Sequence, residues 1–265
     1  MKILTFCCVC LMVSFVACDS SDDTTAPTAG TGTLDIRLID APAAYDHVNI
    51  VFDSIQVHVA VGEGIDSWIT LERQSRTVDL LTLVNGTSTL LGSEAIPAGH
   101  YSQIRLFIGS GSTVVVDGVA KPLTIPSGVV SGLKLNVNVD IQEGSTYVLT
   151  LDFDAARSIN TTGNPNNPTY VLQPTIRTVV AATSGAISGT ILPASTAPTI
   201  WAFGPDTAST RTDTTGAFKV MYLPPASYAV TIVPADTLYR DTTIANVVVA
   251  AGGTVGIGTV SLSLK

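Results

Sequence analysis

Residues 133–141 read LKLNVNVDI. Leu133, Leu135, Val137, Val139 and Ile141 alternate without a break against Lys134, Asn136, Asn138 and Asp140. Period-two patterning puts one set of side chains on each face of an extended segment, so this stretch predicts a half-buried strand. The rule recurs in LDIRLID (34–40), HVNIVFDSIQVHVAV (47–61) and YVLTLDFD (147–154). Ile55, Val57, Val59 and Val61 share one face of the second of these, with Gln56 and His58 opposite. VVVDGVAKPL carries Asp117-Gly118, a two-residue hairpin signal. Helical periodicity is weak, apart from a turn or two in TVDLLTLVNG. Such a chain folds as an all-β protein of mostly antiparallel sheets. Abundant Thr, Ser, Gly and Pro, with only 13% charged residues, suit many short strands joined by turns.

The first eighteen residues follow another rule. After Lys2 comes the apolar run Ile3–Val16, the length of a secretory leader core and shorter than the roughly 20 residues of a spanning helix. Small Ala17 precedes Cys18, and the acidic, hydroxyl-rich DSSDDTT follows. Phe15-Val16-Ala17-Cys18 resembles the box of a bacterial lipoprotein signal peptide, with Phe15 where the family usually has Leu. The resemblance implies cleavage before Cys18, a lipid on its sulfur, and the membrane as a partner. All four cysteines lie at or before position 18, so after cleavage no thiol remains for a disulfide or a cysteine zinc site.

The expected organisation is a signal peptide over 1–17, a lipidated Cys18 with a flexible acidic tether over 18–33, and two β-sandwich domains of the Ig-like or prealbumin-like kind over 34–181 and 185–265. The tether has too few apolar side chains to offset its ordering entropy. The small-residue stretch AATSGAISG, residues 181–189, marks the border between the domains, and few contacts are expected across it. Of the charged residues only Lys2 leaves with the leader, so 12 basic against 21 acidic side chains remain, a formal charge of −9. That balance, without a basic patch, excludes nucleic acid as a partner.

Two family resemblances follow. The segments IRLIDAPAAYDHVNIVFDSIQVH, TVDLLTLVNG, IPAGHYSQIRL, IPSGVVSGLKL and LTLDFDAARSI resemble, in order and spacing, the bacterial lipoprotein domain of unknown function 4382. That resemblance implies a location and an architecture but carries no catalytic residue. TDTTGAFKVMYLPPASYAVTIV, residues 212–233, resembles the carboxypeptidase-regulatory-like, transthyretin-like module. Asp213, Gly216, Phe218, Leu223, Pro224 and Tyr228 match its pattern, and Ala226 stands where the family often has Gly. That module is usually a spacer or binding unit.

Residues able to do chemistry are scattered. His47, His58 and His100 lack HxH or HExxH spacing, so they read as surface or turn histidines before zinc ligands or a hydrolytic base. Asp152 and Asp154 share a strand face; with Asp40 and Asp46 they are candidate calcium ligands. The alternative is pairing with Arg105, Arg157 or Arg177 and capping of turn amides. Ser110 and Ser127 lie outside any GxSxG, and GSGSTVV lacks a phosphate-binding lysine. Trp68, Tyr101, Trp201 and Tyr222 are candidates for a glycan-stacking surface, or for core and edge packing.

The expectation is therefore a lipid-anchored, non-enzymatic cell-envelope protein without a cofactor. It binds, adheres or scaffolds through a glycan or protein ligand, with the oligomeric state open. The alternative is a metal-assisted hydrolase using Asp and His of the first domain. Asp19 resembles an inner-membrane retention signal, whereas Asp22 and Asp23 resemble the acidic tag of lipoproteins placed on the cell surface. The outer membrane, facing outward, is the expected address, with the inner membrane or a periplasmic face as alternatives.

Overall fold

A computed structural model describes residues 30–59, 67–126 and 131–265. The leader, Cys18, the acidic run and Ser127 lie outside the described residues. In chain order the strands begin β1 (Thr31–Ala41), β2 (His47–Val59), β3 (Ser67–Glu72), β4 (Arg76–Asp79), β5 (Thr89–Pro97), β6 (Gly99–Ile108) and β7 (Thr113–Val116). They continue as β8 (Val119–Thr124), β9 (Leu133–Ile141), β10 (Thr146–Asp154), β11 (Ile159–Asn164), β12 (Asn167–Leu172) and β13 (Ile176–Val180). Then come β14 (Gly185–Leu192), β15 (Thr199–Phe203), β16 (Thr207–Arg211), β17 (Ala217–Leu223), β18 (Ala226–Val233), β19 (Thr242–Val249) and β20 (Thr254–Ser261). One helical turn, α1 (Ala155–Ser158), joins β10 to β11. The described residues are almost entirely strand, arranged in several sheets.

Up to β13 there are two sheets, β13-β10-β1-β5 and β11-β12-β8-β7-β2-β6-β9, with β3 and β4 also pairing with β2. Their apolar faces form one cluster from Leu34 to Leu172. From β14 onward two smaller sheets, β17-β14-β20 and β16-β15-β18-β19, enclose a second cluster from Ile187 to Leu262. Antiparallel pairing dominates, but β1 runs parallel to β10, β12 to β8 and β14 to β20. β1 begins at Thr31, so Thr31–Thr33, assigned to the tether by composition, pair with Ala95–Pro97 of β5.

Local chemistry explains the elements. In β2 the inward residues are Val48, Ile50 and Phe52, then Ile55 and Val57, so the alternation slips by one. A register shift against β6 between Phe52 and Ser54 absorbs the extra residue and keeps both halves facing the core. Asp117 (φ 51°) and Gly118 (φ 74°) make the expected two-residue hairpin between β7 and β8. The helical signal in TVDLLTLVNG is a single 3-10 turn, Leu80–Thr82, capped by the Asp79 carboxylate on Leu81 N–H.

The two units share a device. Tyr101, 1% exposed, donates its hydroxyl to Pro97 C=O at 2.7 Å. Tyr228, also 1% exposed, donates to Pro224 C=O at 2.9 Å. IPAGHY and LPPASY thus close the same corner, with the ring buried and the hydroxyl tied four residues back. Ala226, in the place of the family's Gly, is not among the residues with positive φ, so the corner forms without a glycine.

Candidate binding cleft at the junction of the two units

The end of β1 supplies the first residue. Asp40 continues the phase of Leu34, Ile36 and Leu38, so its side chain enters the buried face, where it is 4% exposed. Oδ1 accepts from Ala155 N–H at 3.0 Å, at the start of α1, while Oδ2 is buried with no hydrogen-bond partner. Burial pushes the Asp40 carboxyl well above its ordinary value; the Ala155 N–H pulls it down, and the charges of Asp152 and Asp154 add to the rise.

β10 and β13 supply the next group. Asp152 and Arg177 are cross-strand partners, and Asp152 Oδ2 accepts from the Arg177 guanidinium at 2.6 and 3.2 Å. The same guanidinium reaches into the second unit, to Asp206 at 3.3 Å and Tyr222 C=O at 3.4 Å. Burial raises the Asp152 pKa, with Arg177 opposing. Burial alone would lower Arg177; the two carboxylates outweigh it and hold the guanidinium charged. Asp154 caps α1 through Arg157 N–H at 3.0 Å and lies 3.9 Å from the Arg157 guanidinium.

Asn85, in the left-handed region (φ 55°), forms a second bridge. Its N–H donates to Thr210 Oγ1 at 2.8 Å, its carboxamide oxygen accepts from Lys219 N–H at 2.7 Å, and its Nδ2 donates to Ala217 C=O at 3.4 Å. The carboxamide thereby acts like one residue of an added strand on the free edge of β17. Arg211 adds a bond to Ala43 C=O at 3.0 Å. These bridges come from residues distant in sequence, while residues 185–189 of the border stretch belong to β14.

Two adjoining cavities result. The smaller, about 20 Å³, lies between Asp40, Asn85, Thr210 and Tyr222 and is large enough for one water. The larger, about 150 Å³, is lined by Asp154, Arg157, Arg177, Trp201, Asp206 and Ser209 among others. Ser209 Oγ is buried without a protein partner. Trp201 and Phe203 alternate with the buried Ile200 and Ala202, so both project from the outer face of β15; their rings stack at 6.0 Å and 7°.

The other sequence candidates lie elsewhere. Asp46 accepts from Gly118 N–H at 2.8 Å in the β7–β8 turn, away from Asp40, Asp152 and Asp154. Among the described residues no group of three or more His, Cys, Asp or Glu side chains could hold a metal ion. His47 meets Asp79 at 2.7 Å, His100 meets Asp140 at 2.8 Å, and His58 meets Ser102 at 3.3 Å; none lines the junction. The four aromatic candidates do not form one surface. Tyr101 is core, Trp68 lies under Arg105 at 4.0 Å, and Tyr222 lines the small cavity. Only Trp201 enters the larger cleft. Asn85, Phe203, Asp206 and Ser209 escaped sequence reading; for Phe203 the alternation in TIWAF was the available signal.

A family profile described as "Domain of unknown function (DUF4382)" matches residues 31–174, more than half of the chain. No curated protein matches. Solved structures that match include the TIE protein of Bacillus anthracis, at 14% identity and TM-score 0.26, over 89% of this chain and 34% of that one. This chain thus spans about a third of the length of the Bacillus protein. A minor pilin of Streptococcus agalactiae matches at 10% identity and TM-score 0.24, over 88% and 96% of the two chains. The shaft pilin SpaA of Lactobacillus rhamnosus GG matches at 8% and 0.22, over 90% and 98%.

Proposed function

Because the chain belongs to the DUF4382 family through residues 31–174, we propose that it is a non-catalytic binding or scaffolding protein of the bacterial cell envelope, anchored by a lipid on Cys18. One observation carries the non-catalytic reading. The ion-paired side chains gathered at the junction are spent on joining the two units and capping α1, with Arg177 shared between Asp152 and Asp206, and Asp40, whose Oδ2 has no partner, is 4% exposed beside a cavity of one water's size. A catalytic acid or base would instead stand free to meet a substrate. The anchor rests on the sequence Phe15–Cys18 and the polar stretch after it; two or more acyl chains hold a protein stably where one does not. Asp22 and Asp23 support an outward address.

The second unit reads as a carboxypeptidase-regulatory-like module. Its pattern residues do structural work: Asp213 closes a turn by accepting from Thr215 and Ala217 N–H at 2.8 and 3.0 Å, Phe218 and Leu223 are core, and Tyr228 ties the corner.

Labelling with a radioactive fatty acid tests the anchor: the wild type takes up label and Cys18→Ser does not. Protease added to whole cells should remove the wild-type protein, whereas the Asp22→Ala/Asp23→Ala protein stays membrane-bound and protected. Label on Cys18→Ser would refute the anchor, and protection of the wild type would refute the surface address. Stoichiometric zinc, manganese or iron in the purified protein would turn the reading toward a hydrolase.

A further inference from the structure

We propose that the junction cleft of about 150 Å³ beside Trp201 binds one residue of a neutral glycan, with a sugar ring laid on Trp201. This deepens the reading of the chain as a binding protein and rests on it.

The cleft's chemistry selects the ligand class. Its charged lining is three carboxylates, Asp152, Asp154 and Asp206, against two guanidiniums, Arg157 and Arg177. The guanidiniums are engaged with those carboxylates, at 2.6 Å for Arg177–Asp152, 3.3 Å for Arg177–Asp206 and 3.9 Å for Arg157–Asp154. A phosphate or sulfate would meet an excess of negative charge, and a metal cation would have to displace guanidiniums already in place. A purely apolar ligand would strand this polar lining.

A neutral polyhydroxylated ring avoids all three costs. Its hydroxyls both donate and accept, matching carboxylates and guanidiniums without altering their pairing. Ser209 lines the cleft, and its Oγ, buried and without a protein partner, would meet a ligand hydroxyl after a rotation about χ1. The apolar face of the ring needs an aromatic plane. Trp201 provides it, and Phe203, 46% exposed and nearly parallel to it at 6.0 Å, lies beside it on the same outer face of β15. At about 150 Å³ the cleft is below the roughly 300–1,000 Å³ of pockets that enclose small molecules. It therefore seats a single ring, leaving the rest of the chain in solvent along Phe203.

The test is calorimetric titration of detergent-purified full-length protein with neutral hexasaccharides of glucose, galactose, mannose and xylose, and with polygalacturonate as an acidic control. At least one neutral sugar should bind saturably and with little dependence on salt. The chain has two tryptophans, so in Trp68→Phe protein the fluorescence change on binding reports Trp201 alone. Trp201→Ala should weaken binding about tenfold, while Trp201→Phe retains most of it. Arg157→Ala, at a side chain 69% exposed, should weaken binding without moving Tm, so the result survives a poorly folded Trp201→Ala protein. Silence from every neutral sugar, binding of polygalacturonate alone, or wild-type affinity in both Trp201→Ala and Arg157→Ala overturns the proposal. Silence with the protein shown on the cell surface sinks the ligand class only. Shortening of a hexasaccharide during incubation, seen by mass spectrometry, sinks the non-catalytic reading itself.

Discussion

Burying a tyrosine ring is favourable only if its hydroxyl finds a partner, and Tyr101 and Tyr228 find theirs four residues upstream. Tyr101→Phe and Tyr228→Phe should each destabilise by about 1 kcal/mol, toward 3 if the proline carbonyl is left dry, as read by urea denaturation. Asp40 works in the opposite sense. Its carboxyl is raised above the unfolded value by burial, so the folded state holds a proton that the unfolded chain releases near pH 3.9. Stability from this group is therefore fully present below that pH and falls as pH rises through the folded pKa. Asn retains the acceptor for Ala155 N–H and cannot ionise. Asp40→Asn should match the wild type near pH 4 and exceed it in Tm at pH 8, and an unchanged difference across that range would show that Asp40 is charged when folded. Asp152 is raised as well, while Glu72 and Asp213 are lowered, so only the difference between the two proteins isolates Asp40. Its burial was legible in LDIRLID, where it keeps the phase of Leu34, Ile36 and Leu38; it was grouped with ligands because it is an aspartate.

At the scale of elements, alternation located most strands, since a half-buried strand writes its face into every second residue. β10 and the β7–β8 hairpin could be read directly. Pairing partners could not, because period two records which face is buried and says nothing of the neighbour; hence the parallel β1–β10 and β14–β20 ladders were unforeseen. The junction was hidden for a related reason. Asn85 lies more than a hundred residues from Thr210, Ala217 and Lys219, and no local rule links them. Asn85-Gly86 reads as a turn signal, which it also is. Its carboxamide closes the open edge of β17, so Asn85→Ala should loosen that edge. The expected cost is about 1–2 kcal/mol, with faster amide exchange at Lys219 and little change in the β1–β10 ladder. Slow exchange at Lys219 in the variant would show that the edge does not depend on Asn85.

At the scale of the whole molecule, two hydrophobic clusters are joined by polar bridges. Each cluster is closed by strands of its own segment, and the bridges through Asn85, Arg177 and Arg211 are hydrogen bonds and one shared guanidinium. Bonds of this kind add modestly to stability, whereas buried apolar area carries the fold. Fragments 30–183 and 184–265 should therefore each fold with a cooperative melt in calorimetry. The first must start at residue 30, because a start at Leu34 removes the Thr31–Pro97 and Thr33–Ala95 pairs. Each fragment should melt below its counterpart in the full chain, since separation exposes the free edge of β17 and strips Arg177 of Asp206. In the full chain Arg177→Ala should cost more than the bridge alone, because it leaves Asp152, a side chain only 13% exposed, without its cation. About 2 kcal/mol is expected, below the 3–5 of a fully buried pair, as both partners keep some solvent contact. A reducing agent should change none of these melts, the four cysteines all lying at or before Cys18. Disorder in both fragments, with a single melt in the full chain, would show that the clusters depend on each other and that the junction belongs to one core.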